Sequence, residues 1–195
     1  MHRDYEMWHD REHLLRLDNP EREQMMPKAP VLEAVDATEG MRVADVGAGL
    51  GYFSLPLAVA VGRAGLVLAV DPSPAARDEL THRANAAGLF QLEVMAGSAE
   101  DTHLASDSVD RVLWHTMYHE VQHRQQAIAE MKRILRSGGL WIIVDWRKEL
   151  TEFGPPLEHR FTVDEVVAEV AEQGFQEVSR FQPGPVTWGV LVENL

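Results

Sequence analysis

The stretch Asp45-Val46-Gly47-Ala48-Gly49-Leu50-Gly51 decides how this chain is read. It closes the β-branched run Arg42–Val46, which has the look of a buried strand. It opens a segment in which Leu55, Ala58, Val59 and Gly62 recur at helical spacing. Glycines between a strand and a helix let the backbone turn sharply and let a ligand approach with no Cβ in the way. The helix that follows presents unpaired N–H groups at its start. Asp71 stands 20 residues beyond Gly51, at the tip of the next expected strand, Leu66–Val70. An acid there suits a two-oxygen grip on ribose hydroxyls.

Working outward, further apolar runs at Leu92–Met95, Arg111–Trp114 and Leu140–Val144 read as buried strands. Helical segments lie between them. Ser73–Ala87 follows Pro72 and ends at Gly88, while Arg124–Leu135 sets Ile128, Met131, Ile134 and Leu135 on one face and stops at Gly138-Gly139. Alternating strands and helices imply a parallel sheet covered on both faces. Near the end, Thr162 and Glu165 form a capping-box pattern ahead of Val163, Val166, Val167 and Val170, in a helix expected to end before Gly174. Two strands, Phe175–Phe181 and Val186–Val192, are joined by Gln182-Pro183-Gly184-Pro185, a link so short that the pair must be antiparallel. Residues 1–40 carry expected helices at Glu6–Leu17 and Pro30–Asp36. They read as a cap or lid on one domain spanning 1–195, with its core at 41–195.

Composition narrows the function. The 195 residues carry a net charge of −13, are 45% hydrophobic and include no cysteine. A chain of this length buries enough surface to need no covalent staples. The missing cysteines exclude disulfides, thiolate metal sites and cysteine nucleophiles. The acidic balance argues against nucleic acid as a partner. The charged N-terminal stretch does not read as a signal peptide, and the longest apolar run, Leu55–Val61, falls well short of a membrane span, so no membrane association and a cytoplasmic location are expected.

The glycine spacing speaks to the ligand. A dinucleotide fold uses G-x-G-x-x-G to seat a pyrophosphate. Here the spacing is G-x-G-x-G, with Asp45 two positions ahead of Gly47. A carboxylate there suits an ammonium-bearing ligand better than a diphosphate. That favours S-adenosylmethionine over NAD, with an NAD-type oxidoreductase as the alternative.

These residues resemble the class I S-adenosylmethionine-dependent methyltransferases, in the branch that includes the ubiquinone/menaquinone-type enzymes. Asp45–Gly51 looks like the first motif and Asp71 like the ribose-binding acid. Gly97-Ser98-Ala99-Glu100 sits where the family reads adenine. Leu113–Val121 resembles the segment after the fourth strand, and Leu135–Gly139 with Leu140–Trp146 resembles the glycine turn and fifth strand. The resemblance implies a Rossmann-like α/β fold: a seven-stranded, mostly parallel sheet of order 3-2-1-4-5-7-6, helices on both faces and an antiparallel last strand. It also implies a cofactor-binding set of Asp45, Gly47, Ala48, Gly49, Gly51, Tyr52, Asp71, Pro72, Ser98, Ala99, Glu100, Trp114 and His115. S-adenosyl-L-homocysteine would be the product. One departure stands out, since the family usually carries an acid where Ser98 stands. A hydroxyl accepts a weaker bond from the adenine amino group, and Glu100 is the nearby substitute. Arg16–Arg22, Asp145–Lys148 and Gly154–Arg160 look like a narrower subgroup of small methyltransferases.

Past the fourth strand, His115, His119 and His123 recur every four residues, and His119-Glu120-Val121-Gln122-His123 matches H-E-x-x-H. A zinc hydrolase would need both histidines on one regular helix. The expected boundaries instead put the motif across a loop, so no metal site is expected. Ligands of open α/β sheets bind beyond the carboxyl ends of the strands. His119, Tyr118 and His115 are therefore the candidate catalytic groups. Asp145, Trp146, His159 and Arg160 are the candidate substrate pocket. Arg147 and Lys148 join Arg160 in a basic cluster that would draw an anionic acceptor, and Trp8, His9 and His13 could close as a lid. The expected acceptor is a small molecule.

Overall fold

The computed structural model describes residue 19 and residues 21–151 and 154–195. The expected helix Glu6–Leu17 and the lid residues Trp8, His9 and His13 lie outside the described residues. Two short helices come first, α1 (Glu21–Met25) and α2 (Lys28–Val35), followed by β1 (Arg42–Val46), α3 (Ser54–Val61), β2 (Leu66–Asp71) and α4 (Pro74–Ala86). The chain continues through β3 (Leu92–Ala96), β4 (Val109–His115), α5 (Arg124–Ile134), β5 (Leu135–Trp146), α6 (Val163–Ala171), β6 (Phe175–Gly184) and β7 (Thr187–Asn194).

The seven strands form one sheet of order β3-β2-β1-β4-β5-β7-β6. β3, β2, β1, β4 and β5 run parallel, and β7 is antiparallel to both β5 and β6. Alternation along each strand splits the core into two layers. Val46, Val70, Val112, Trp114 and Ile143 pack with Ile128 and Met131 of α5 and Val166 of α6. Val43, Val67, Leu113 and Ile142 pack with Val31 of α2, Leu57 of α3 and Leu80 of α4. Parallel strands buried on both faces account for their nearly unbroken apolar runs.

Local signals behave as their chemistry requires. Ser73 caps α4, its Oγ accepting the Ala76 N–H at 3.3 Å. At α6, Thr162 Oγ1 accepts the Glu165 N–H at 3.2 Å while Glu165 Oε2 accepts the Thr162 N–H at 2.7 Å, a complete capping box.

Three boundaries differ from expectation. The helix expected over Pro30–Asp36 begins two residues earlier and ends one earlier, at Lys28–Val35, and Asp36 stops it in the left-handed conformation at φ 48°. The Gly138-Gly139 stop is not a turn between α5 and a later strand. β5 begins directly at Leu135, and the glycines lie in a bulge where Val109 pairs with Leu135 but Arg111 pairs with Leu140. The last hairpin turns at Pro185-Val186 instead of Gln182–Pro185, since Gly184 already pairs with Thr187. Pro183 is tolerated inside β6 because β6 is an edge strand and its missing N–H breaks no second ladder.

Candidate active site

Strands β1, β2, β3 and β4 all end on the same side of the sheet, and β1 sits between β2 and β4. That is the point where strand order reverses and a crevice opens. The loop after β1 is stitched to β2: Gly47 and Ala48 donate N–H bonds to Val70 O at 2.8 and 3.1 Å. Gly49 donates to Asp71 Oδ2 at 2.8 Å, and Ser73 donates to Asp71 Oδ1 at 2.9 Å. Gly47 needs to be glycine, because its φ is +79° and a Cβ would run into the Met117 side chain. The result is a cavity walled by Gly47–Leu50, Asp71–Ser73, Ser98–Glu100, His115–Met117, Glu120, Val121 and Arg22.

Burial pushes the Asp71 carboxyl up, and the two backbone donors oppose that rise. Asp45 lies behind the loop, off the cavity wall, where it accepts the Ser54 hydroxyl at 2.5 Å. Burial pushes its carboxyl up to about 6, Ser54 works against the rise, Asp71 adds to it and Arg22 opposes it. On the β3 side, Ser98 Oγ accepts the N–H groups of Glu100 and Asp101 at 3.2 and 3.3 Å, so its acceptor capacity serves its own turn. The Glu100 side of that turn still lines the cavity.

His115 faces the cavity with its ring 4.5 Å from that of Phe53. Burial, with the nearby Arg22 charge, pushes its imidazole down to about 3, so it is neutral at pH 7. Trp114, one position earlier, points to the other layer. It is fully buried 4.6 Å from Trp141 and does not line the cavity. Strand alternation separates two residues that the sequence placed together. Gly51 and Tyr52 also lie off the wall. Tyr52 instead fastens the N-terminal segment, its single hydroxyl proton shared between Glu23 Oε2 at 2.7 Å and Met26 O at 2.9 Å.

The candidate catalytic groups separate. Tyr118 is buried in the α5/α6 layer, donating its hydroxyl to Glu169 Oε2 at 2.6 Å. His119 is buried against Asp145, which ends β5. Trp146 stands over Arg160, and neither it, His159 nor Arg160 reaches the cavity wall. The Arg160 guanidinium is spent on the loop after β5, donating to Pro155 O, Arg147 O, Glu149 O and Thr151 Oγ1. Arg147 pairs with Glu149 at 3.1 Å and Lys148 with Glu165 at 2.8 Å, so the expected basic cluster is internally compensated. The H-E-x-x-H stretch crosses a 3-10 turn, Tyr118–Glu120, and the residue before α5, so its histidines do not share a helix face. Sequence reasoning missed Arg22, Leu50, Ser73, Thr116, Met117, Glu120 and Val121 as wall residues. The available signals were local: Arg22 closes the Arg16–Arg22 stretch, Leu50 lies inside the glycine loop, Ser73 follows Pro72, and the rest lie within Leu113–Val121.

A family model for a methyltransferase domain matches residues 44–143, from within β1 to within β5. The chain belongs to the methyltransferase-domain family. The domain is of the class I, S-adenosylmethionine-dependent kind, and S-adenosylmethionine is its cofactor. The crystal structure of an S-adenosylmethionine-dependent methyltransferase from Aquifex aeolicus is similar over 95% of this chain and 99% of its own, with 27% identity and a TM-score of 0.89. A protein from Sulfolobus solfataricus assigned to the type 11 methyltransferases is 25% identical, covering 87% of this chain and 92% of its own at a TM-score of 0.72. An uncharacterised 37.1 kDa protein of the Streptomyces fradiae transposon TN4556 is 32% identical over 133 residues, 67% of this chain. The methyltransferase domain here spans 38% of that curated relative's length. No helix among the described residues is long and apolar enough to cross a membrane.

Proposed function

We propose that the chain transfers the methyl group of S-adenosylmethionine to a small-molecule acceptor and releases S-adenosylhomocysteine. The observation that carries this reading is Asp71, whose carboxylate closes β2 inside a cavity that also runs along the β1 glycine loop and the Ser98–Glu100 turn.

The residues present fit the cofactor. Each Asp71 oxygen accepts one backbone N–H and keeps a lone pair that suits a ribose hydroxyl. Glu100 offers the acceptor for an adenine amino group that Ser98 does not. Asp45 sets negative charge behind the glycine loop, where an ammonium is welcome. A dinucleotide reading loses ground, because the sheet order with its reversed β7 differs from the 3-2-1-4-5-6 sheet of that fold.

Bound S-adenosylmethionine supplies a sulfonium-activated methyl group, so the protein's share is alignment and exclusion of water. His115, Thr116 and Met117 form the wall after β4 that would hold the acceptor in line. His119 and Tyr118 are engaged elsewhere, with Asp145 and Glu169, and do not serve as proton acceptors in this reading. It therefore favours nucleophiles that need no strong base. The net charge of −13 supports a small molecule over a nucleic acid.

Calorimetry with S-adenosylhomocysteine tests the cofactor, and Asp71→Ala is expected to weaken binding by more than about tenfold, the loss of one charge-assisted bond. Release of S-adenosylhomocysteine across a panel of thiols, amines, phenols and carboxylates tests the acceptor. Absence of heat with both cofactor and product defeats the reading. Turnover on protein or nucleic acid alone defeats its small-molecule part.

A further inference from the structure

Three carboxylates line the cavity, and the cofactor gives a duty to two of them. Asp71 suits the ribose and Glu100 the adenine. Glu120 is left over, on the turn after β4, in the wall that would hold the acceptor.

Its carboxylate is fixed from behind. Glu120 Oε1 lies 3.6 Å from His119 Nε2, and the other ring nitrogen, Nδ1, lies 2.8 Å from Asp145 Oδ1. Two carboxylates thus share one imidazolium, and Glu120 is the member of the trio that brings the remaining negative charge to the cavity. The turn that carries it is held under strain. Thr116 is β-branched yet left-handed at φ 53°, with its N–H on Val144 O at 2.7 Å, and the Glu120 N–H donates to Met117 O at 2.9 Å. The other non-glycine residues of positive φ among the described residues are Asp36, His103 and Asp107, types that tolerate that conformation better. Strain of this kind gathers at functional sites, where the surroundings impose it.

A second polar group on the same wall is unspent. His115 is 9% exposed and its ring lines the cavity. Its Nδ1 has the Thr116 hydroxyl at 3.4 Å, and no other described residue bonds to its Nε2. The imidazole is neutral, so it meets a cation without repelling it. Met117 and Val121 add apolar surface to this part of the wall. An anionic acceptor would instead meet Asp71, Glu100 and Glu120, with Arg22 the one cation among the described wall residues, and that guanidinium is stacked 4.1 Å from the centre of the Tyr52 ring. Resting on the S-adenosylmethionine reading above, we propose that the methyl acceptor is an amine with an apolar body and that Glu120 is the residue that selects it.

The balance of the step agrees. The amine enters neutral, its nitrogen lone pair forms the N–C bond, and the electron pair of the broken C–S bond returns to sulfur. Positive charge leaves sulfur and arrives on the methylated nitrogen, whose surplus proton is later lost to water. No side chain has to act as a strong base. A preorganised carboxylate placed where positive charge arrives stabilises the transition state.

Three acceptors built on one ring separate the headgroups. Benzylamine, phenol and benzoate are offered to the full chain with S-adenosylmethionine at pH 8, and release of S-adenosylhomocysteine is read. Benzylamine should show a kcat/KM at least about tenfold above the other two, the worth of a charge-assisted hydrogen bond. Glu120→Gln should lower that kcat/KM about tenfold and leave the Kd for S-adenosylhomocysteine within about twofold. Phenol or benzoate turned over as well as benzylamine would overturn the proposal, as would no turnover of benzylamine by a protein that binds S-adenosylhomocysteine. Unchanged benzylamine turnover in Glu120→Gln would remove Glu120 from acceptor selection, and a matching loss of S-adenosylhomocysteine affinity would make it a cofactor residue; either overturns the proposal. If the unmodified protein does not bind S-adenosylhomocysteine, the cofactor reading itself has failed, and this proposal with it.

Discussion

His119 Nδ1 lies 2.8 Å from Asp145 Oδ1, and Asp145 Oδ2 accepts the backbone N–H of His119 at 3.1 Å. One buried carboxylate thus ties the turn after β4 to the end of β5. Burial by itself would push the imidazole down. Asp145, helped by Glu120 at 3.6 Å from Nε2, outweighs it and pushes the imidazole up to about 9. His119 is therefore a cation at neutral pH, part of the frame of the site.

A histidine pKa raised from 6.5 to about 9 contributes stability that is full below 6.5 and is lost as pH climbs through 9. The melting temperature should accordingly fall between pH 6.5 and 9.5, and His119→Gln should flatten that limb while lowering the value at pH 7. Asp145→Asn leaves the imidazole without its counter-charge and should cost about 3 kcal/mol at pH 7, as breaking a buried pair does. An identical alkaline limb in His119→Gln would show that the pair does not set it.

The centre of the sheet was legible because β1 and β2 are buried on both faces, so Arg42–Val46 and Leu66–Val70 announce themselves as largely apolar runs without help from distant contacts. Gly88 and the Thr162/Glu165 box were legible for the same reason, as chemistry local to a few residues. Gly138-Gly139 and Pro183-Gly184 misled because glycine and proline ordinarily mark turns. Here pairing with β4 and with β7 carries the strands through them. The site divides along the same line. Asp71 and the glycine loop are local to strand ends, whereas Arg22 reaches the cavity through Tyr52, 30 positions later, and Arg160 turns to carbonyls of its own loop. Trp114 shows that a motif placed on a strand still needs the face assigned to each member.

Asp45 should make cofactor binding depend on pH. Burial, with repulsion from Asp71, raises its carboxyl to about 6 against the pull of Ser54 and Arg22, so below that value the group is largely neutral. An ammonium-bearing ligand favours the charged form, and binding then releases a proton. Affinity for S-adenosylhomocysteine should rise from pH 5 to 7, by at most about tenfold per pH unit for one proton, and level off above. Asp45→Asn should bind more weakly and lose the slope. Asp71, also raised, serves as the control, since Asp71→Asn should weaken binding and, with its repulsion gone, move the Asp45 slope to lower pH without abolishing it. Calorimetry in buffers of different ionisation enthalpy reads the proton count directly.

Gly47→Ala should combine two penalties. The left-handed backbone at φ +79° is unfavourable for any residue with a Cβ, and the new methyl group meets Met117. Together these should cost about 2 to 4 kcal/mol in urea denaturation. Adding Met117→Ala frees the space and should recover the steric share while leaving the backbone share. Full recovery would mean that the conformation itself is not strained for alanine.

Arg160 should prove a support of the loop after β5, with no part in cofactor binding. Its guanidinium reaches Pro155 O at 2.8 Å, Arg147 O at 3.1 Å, Glu149 O at 2.9 Å and Thr151 Oγ1 at 2.8 Å, and it lies 5.3 Å from the Trp146 ring centre. A planar fork can serve acceptors spread in this way, whereas an ammonium on a flexible stem cannot serve them all at once. Arg160→Lys should therefore cost about 1 kcal/mol of stability by leaving half-buried carbonyls of the loop unpaired. S-adenosylhomocysteine affinity should stay unchanged, because the residue is off the cavity wall. Unaltered stability together with a raised KM for an anionic acceptor would return Arg160 to the substrate pocket where the sequence placed it.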